Sequence, residues 1–523
     1  MLRVLVVLAC AACGVGAREA AAPSGDDALA ARFPLARLGE RALCDALLAR
    51  SAEDYRITID REPRSRRKVI VSDLHLGPGT TDPRFTGIED FYSDADWTAF
   101  LAQQGAAGPT DLVIDGDFIE FWQIAAALGV LPRRDARVQP PAGTMLAEDQ
   151  QFGTTAVALV IAAHPTVFRD LGRLLDSGDH RVIILAGNHD ADLLWPKVQL
   201  AIARAIAPRD PSRLIFVEGA AYEHAGVHVE HGHAYDAANH FATGYAPFGR
   251  DRDGRCRLQA SWGEVFVDQF YTDTERQIPF IDNLYPESAA VLWALHDDPQ
   301  HGERGLAAAI RFLELLRSAE TGKLNKDAAE AVLQSVFGTP GEGDDGPSSV
   351  HEVIDHLTEQ VAGGDTSAAS IVAALWRLRT DPDLAGLWDG IVRAAGALPD
   401  VGAALDELRA IDPSALGRLR DRAFGDVQET AAARLLAANP ALHVIVFGHT
   451  HDVGGRAVAV RGGYFANSGS WISVASVAEL KARGVTWDKL SLADRTMFPS
   501  KDTAVIIEYG PDGQPEPPVV HNR

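Results

Sequence analysis

The chain has 523 residues, 46% hydrophobic and 23% charged, an ordinary globular composition long enough for several domains or for one domain carrying a large insertion. Its formal net charge of −23 at pH 7 repels phosphate backbones and disfavours a non-specific nucleic-acid binder. Aromatic residues make up only 7%, which also argues against a base-stacking platform for single strands.

In chain order, Met1-Leu2-Arg3 precede an apolar run over 4–17 that ends on the small residues Val15-Gly16-Ala17. A short positive start, an apolar stretch and small residues form the pattern of a secretory signal peptide over 1–17, and the run is too short to span a bilayer. Cys10 and Cys13 also resemble a bacterial lipoprotein cleavage site, which implies a lipid anchor to a membrane. The expected location is therefore periplasmic or extracellular, with a cytoplasmic protein bearing an apolar N-terminal helix as the alternative. Residues 18–66 read as a leader, flexible through 26, with a helix rich in Ala, Leu and Arg over 27–52. Cys44 and Cys256 are the remaining cysteines, and two cysteines make no disulfide framework, so they read as unpaired buried thiols rather than a bridge.

Val69-Ile70-Val71, Leu112-Val113-Ile114, Val182-Ile183-Ile184-Leu185 and Val444-Ile445-Val446-Phe447 are short runs that are apolar at successive positions. Such runs suit strands buried on both faces, and helical stretches such as 151–175 lie between them, giving an α/β alternation. The segment 236–440 differs. Leu306, Ile310, Leu313 and Leu316 follow a helical spacing, as do Ile371, Leu375 and Leu378, and strand-like runs are scarce. It reads as a mainly helical insertion, a cap or lid candidate, between a first core part at 67–235 and a second at 441–523.

Each strand-like run leads into polar residues: Ser72-Asp73-Leu74-His75, Asp115-Gly116-Asp117-Phe118-Ile119-Glu120, Gly187-Asn188-His189-Asp190 and Gly448-His449-Thr450-His451-Asp452. Val227-His228-Val229 likewise leads into Glu230-His231-Gly232-His233. Five such clusters at strand ends point toward one sheet edge, where α/β folds place ligands. Asp carboxylate, Asn carbonyl and His imidazole without cysteine make a mixed O/N donor set that suits manganese, iron or zinc. Seven candidate ligands exceed the needs of one ion and suit a pair about 3.5–4 Å apart that clamps a phosphate.

Asp73-Leu74-His75, Gly116-Asp117, Gly187-Asn188-His189-Asp190, His231 and Gly448-His449-Thr450-His451 resemble, intact and in order, the five signature blocks of the calcineurin-like metallophosphoesterases. The resemblance covers roughly 67–235 and 441–510 and is silent about 236–440. It implies an α/β fold, a four-layer α/β/β/α sandwich with a dimetal site at the strand ends. By it, Asp73, His75 and His451 would bind one metal, Asn188, His231 and His449 the other, and Asp117 both. The implied cofactors are two divalent ions, manganese first, with iron or zinc as alternatives. His189 would protonate the leaving oxygen as a general acid, oriented by Asp190. His231 is favoured over the neighbouring His233, which would stand behind it. Glu120 reads either as an acid behind the ligands or as a helix residue, and Asn467 as a structural residue that supports the loop facing the last histidine pair. His224, His228, His240 and His443 read as surface or core residues, and the run Arg250-Asp251-Arg252-Asp253 as a solvated face.

The implied activity is hydrolysis of a phosphate monoester or diester, with a phosphorylated small molecule or a lipid-linked compound as substrate and no protein partner indicated. Phe118-Ile119-Glu120-Phe121-Trp122 and Tyr464-Phe465-Ala466-Asn467-Ser468-Gly469-Ser470-Trp471 are similar to branches that hydrolyse nucleotide-linked lipid pyrophosphates, which gives the alternative substrate class. A non-catalytic protein-binding scaffold is the competing class, and the intact ligand set counts against it.

Overall fold

The computed structural model describes residues 25–50, 56–130 except 86, 148–235, short stretches between 239 and 285, and 427–522 except 453, 492–496, 500 and 501. The apolar run over 1–17 and residues 286–426, most of the expected insertion, lie outside the described residues.

The aliphatic runs form strands. In chain order these are β1 (Ile57–Ile59), β2 (Arg67–Val71), β3 (Thr110–Asp115), β4 (Arg181–Leu185), β5 (Leu214–Phe216), β6 (Ala221–His224), β7 (Val227–Glu230), β8 (Phe248–Arg250) and β9 (Cys256–Leu258). They continue as β10 (Leu284–Tyr285), β11 (Val444–Phe447), β12 (Arg456–Val460), β13 (Gly463–Asn467), β14 (Ala475–Ser476), β15 (Thr503–Ile507) and β16 (Val519–Asn522). Two six-stranded mixed sheets result, ordered β16-β15-β2-β3-β4-β5 and β1-β6-β7-β11-β13-β12. β2 to β5 run parallel in the first sheet, and β7, β11 and β13 run parallel in the second.

Register explains why these strands are apolar throughout. Val69, Leu112 and Val182 are lateral neighbours, as are Ile70, Val113 and Ile183 one step along. The first row faces the helices Asp94–Ala106, Gln150–Ala163, Pro165–Ser177 and Pro196–Ile206, through Phe100, Val157, Leu171 and Ile202. The second row faces the other sheet, meeting Val227, Val229, Val444 and Val446. Ile445, Phe447 and Phe465 on the far side of that sheet pack on Ala432 and Leu436 of the helix Val427–Ala438. Fully burying one such aliphatic side chain contributes about 1.5–3 kcal/mol, so a strand between two apolar layers needs no polar face.

Punctuation residues break what periodicity joined. The helical stretch expected at 151–175 is two helices, because Pro165 cannot donate the backbone hydrogen bond that would carry the first one onward. The leader helix expected at 27–52 is likewise split at Pro34 and Gly39 into Gly25–Ala31, a 3-10 turn and Glu40–Leu48.

The cysteine expectation is corrected. Cys44 and Cys256 form a disulfide with their Cα atoms 5.1 Å apart, joining the helix Glu40–Leu48 to the β8–β9 hairpin. A separation of 212 positions hides this pairing from sequence, and folding alone brings both buried thiols within bridging reach. The opening of the segment expected to be helical also contains strands, since β8 pairs with β9 and β10 pairs with β14.

Candidate metal centre

Each motif loop leaves the carboxyl end of a strand. Asp73 and His75 follow β2, Asp117 follows β3, Asn188 to Asp190 follow β4, His231 follows β7, and His449 and His451 follow β11. Backbone amides lace the loops together, within the second sheet and from it to the first. The His449 amide donates to Asp73 Oδ2 at 3.1 Å, the Gly448 amide to the His231 carbonyl at 3.1 Å, and the Trp471 amide to the Asp73 carbonyl at 3.1 Å.

Several of these residues hold an unfavourable backbone conformation. Among the described residues seven non-glycines have φ in the left-handed region, and five of them are Asp73, His75, Asp117, His449 and His451, at 54°, 47°, 48°, 71° and 48°. Each costs on the order of 1 kcal/mol or more, so the surrounding contacts hold this edge against local preference. Close approach excludes larger residues nearby. A Cβ at Gly187 would lie 2.7 Å from the Asp117 amide nitrogen, and one at Gly448 would lie 2.8 Å from Asp73 Oδ2.

Hydrogen bonds behind the imidazoles decide which atoms point inward. His75 Nδ1–H donates to Glu120 Oε2 at 2.8 Å, and His231 Nδ1–H to the Asp115 carbonyl at 2.7 Å. Those oxygens accept, so each ring keeps its proton on Nδ1 and turns Nε2 into the site. There His75 Nε2 stands 3.2 Å from His451 Nε2, and His231 Nε2 stands 3.1 Å from Asp117 Oδ2. His451 Nε2 lies 3.2 Å from Asp73 Oδ1.

Two imidazole nitrogens hold that separation only with a proton or a metal ion between them. Ligands about 2.0–2.2 Å from one ion stand about 3 Å from each other, so the spacing fits metal coordination. Asp73 Oδ1, Asn188 Oδ1 and His231 Nε2 are buried without hydrogen-bond geometry to any group, atoms of the kind a cation would satisfy. Three groups of ligand atoms emerge, the atoms of each within 4.8 Å of one another: one is His75, Glu120 and His189, and the other two are Asp73, His75, Asp117 and His451, and Asp117, His231 and His449. Asp117 belongs to both of the latter. These buried clusters can hold metal ions.

The electrostatics agree. Burial by itself would push the imidazoles toward neutrality. Instead the charges of Asp117 and Asp73 hold His231 well above the usual histidine range, and the Glu120 hydrogen bond raises His75. Burial likewise opposes ionisation of Asp117, yet His231 and His189 hold it well below the usual carboxylate range. The cluster draws positive charge inward, and protons meet that demand where no cation does.

His189 lies beside the ligand sets. Its Nδ1 donates to Glu120 Oε2 at 2.7 Å, its backbone amide donates to Asp117 Oδ1 at 2.9 Å, and its side chain keeps 19% exposure. The expected orienter, Asp190, does not fill that role. Its carboxylate accepts the backbone amides of Gly187 at 2.6 Å, Phe118 at 2.8 Å and Asp117 at 3.2 Å, so it braces two ligand loops. Glu120 orients His189, and it is both things the sequence left open. One of its oxygens caps the helix Phe121–Leu128 through the Gln123 amide at 3.1 Å, while the other accepts from His75 and His189. Burial opposes its ionisation, but His189 and His75 bring it down to about 2. A carboxylate three residues beyond a ligand, at a helix start, was the available signal.

Asn467 supports its own loop by accepting the Gly469 amide at 2.9 Å, and its Nδ2 also reaches the last histidine loop, donating to the Gly448 carbonyl at 3.2 Å and to Thr450 Oγ1 at 2.9 Å. His233 is buried behind His231, the ring centroids 5.6 Å apart. His228 lies between Glu223 and Glu230, and His224 against Lys68, so both are satisfied interior residues. His240 lies outside the described residues. Arg250 pairs with Asp45 and Arg257 with Asp149.

No protein-family model matches the chain, and no curated protein matches its sequence.

Proposed function

We propose that the protein is a phosphoesterase that works with two divalent metal ions, manganese by donor chemistry with iron or zinc as alternatives, on the four-layer α/β/β/α plan of the calcineurin-like enzymes. One observation carries the reading: six His and Asp side chains converge as two sets that share Asp117, with the unsatisfied Oδ1 of Asn188 on a neighbouring strand-end loop and the partly exposed His189 beside them. Bound there, such ions supply Lewis-acid polarisation of a phosphoryl oxygen and a lowered pKa for the attacking water. Asp73, His75 and His451 would hold one ion, and Asn188, His231 and His449 the other. Asp117, a member of both sets, would hold the two ions together by offsetting their charge. As water adds to phosphorus and the ester P–O bond breaks, His189 gives its Nε2 proton to the departing oxygen, while Glu120 holds the opposite ring nitrogen. The substrate is a phosphate monoester or diester of a small or lipid-linked molecule.

The test is hydrolysis of bis(p-nitrophenyl) phosphate and p-nitrophenyl phosphate by the full chain, with Mn²⁺ and with chelator, beside Asp117→Asn. Turnover should require metal and fall at least about a thousand-fold in the variant, the several kcal/mol a metal site supplies to the transition state. A protein that binds no divalent ion, or turnover indifferent to both chelator and Asp117→Asn, would overturn the reading.

A further inference from the structure

Resting on that reading, we infer that Trp122 is a positioning residue for the general acid, fixing the plane of the His189 ring so that Nε2 faces the leaving oxygen. The indole lies stacked on the imidazole, with ring centroids 3.9 Å apart and planes 28° from parallel. His75 meets the same imidazole edge-on, the centroids 4.7 Å apart at 83°. A single hydrogen bond from Nδ1 to Glu120 sets a distance and an approximate direction, but it leaves the ring free to swing about that bond. The outermost torsion of histidine has broad minima, so side-chain preference alone does not stop this swing. A flat indole against one face and an imidazole edge beside it do.

The grip comes from one short stretch of chain. Glu120 caps the helix Phe121–Leu128 and Trp122 is the second residue of that helix, so one holds the ring nitrogen while the other holds the ring face. Trp122 is itself confined, with 4% exposure. Gly263 stands against it, since a Cβ built there would lie 3.4 Å from Trp122 Cη2. The chain just past the first core part therefore backs the indole, the indole backs His189, and Nε2 is the ring nitrogen with no hydrogen bond among the described residues. Aromatic stacking adds to burial enough to favour one ring orientation several-fold, up to about ten-fold.

A positioned acid matters in proportion to how badly the departing group needs its proton. Nitrophenolate leaves with little help and phenolate needs more, so the leaving-group dependence separates positioning from general structural support. The experiment compares kcat and KM for a nitrophenyl ester and for its unsubstituted phenyl analogue, monoester or diester as the wild type accepts, in Mn²⁺-loaded wild type, Trp122→Met and Trp122→Phe. The ratio of the two activities within one preparation does not depend on the fraction folded. Trp122→Met should lower kcat for the phenyl ester about ten-fold more than for the nitrophenyl ester, a part of the 10²–10⁴-fold that a general acid supplies, with KM little changed. Trp122→Phe, which keeps an aromatic face, should restore most of the ratio. In a His189→Ala background Trp122→Met should no longer change it.

Equal losses on both esters, or an effect that persists without His189, would overturn the positioning role while leaving the hydrolase reading intact. A metal-loaded wild type inactive toward every ester would overturn both.

Discussion

At the amino ends of β2, β3 and β4, Lys68, Asp111 and Arg181 are lateral neighbours, and all three are buried. Arg181 forms a two-pronged pair with Asp111 at 2.8 and 2.7 Å, and its third nitrogen reaches Asp60 at 2.7 Å. Lys68 Nζ donates to Asp111 Oδ2 at 3.2 Å and to His224 Nδ1 at 2.7 Å, while His224 Nε2–H donates to the Glu62 carbonyl at 2.9 Å. Tyr222 adds a hydroxyl hydrogen bond to Asp60 at 2.7 Å. At the carboxyl ends of the same strands the ligand side chains crowd together with buried acceptors left unsatisfied and with backbone in the left-handed region. The same sheet thus pairs its buried Lys68, Asp111 and Arg181 at one end and leaves several buried carboxylate, amide and imidazole atoms without partners at the other. Because unpaired buried charge is costly, the incomplete end is the one shaped for something added, and the complete end is architecture.

Asp111→Ala leaves Lys68 and Arg181 buried without their shared carboxylate, and should lower unfolding free energy by about 3–5 kcal/mol in urea denaturation, with Mn²⁺ affinity unchanged. A loss below about 1 kcal/mol would show that Asp111 does not hold Lys68 and Arg181 in one charge network.

A histidine between two carboxylates lies beside the candidate ligand edge. His164 lies 3.0 Å from Asp94 and 3.3 Å from Glu89, and Glu89 accepts the Gly79 amide at 2.6 Å in the loop after His75. Burial opposes the charged ring, but the two acids raise His164 to about 9. A folded pKa above the unfolded value of about 6.5 gives stability that is full below pH 6.5 and lost as pH rises through 9, about 3 kcal/mol in all. Unfolding in chelator at several pH values should show this fall, and His164→Asn should flatten it. A slope unchanged in the variant would assign the pH dependence to other groups.

The smallest effect concerns Glu120. Glu120→Gln keeps one acceptor where two imidazole N–H groups need one, and removes the charge that raises both rings. Metal affinity should fall about 10–100-fold, as for other hydrogen bonds behind metal-bound histidines, read by titration against a competing chelator. Undiminished affinity would mean that the His75 ring is held by its neighbours alone.

Much of the site was legible because its pieces are local. A strand run of three or four aliphatic residues followed by Asp-x-His, Gly-Asp, Gly-Asn-His or Gly-His-x-His places candidate ligands at strand ends, and every such loop does leave the carboxyl end of a strand. Parallel strands buried on both faces were legible for the same reason, since Val69 to Val71 must be apolar on successive positions to sit between helices and a second sheet. Asp190 misled because adjacency in sequence suggested a partner for His189. In the turn after β4 its carboxylate instead lies over three amides.

The sequence by itself determined which residue types stand at each strand end, and hence the donor chemistry. The tertiary structure decided that Asp117 lies in both ligand sets, that Glu120 rather than Asp190 holds His189, that Trp122 lies on its face, and that Cys44 meets Cys256. The physical reason is range. Strand burial, turns and caps are set by neighbours a few residues away, whereas side chains from β2, β3, β4, β7 and β11 meet only after two sheets pack. The left-handed backbone at Asp73 and His451 is likewise held by contacts that the local sequence does not encode.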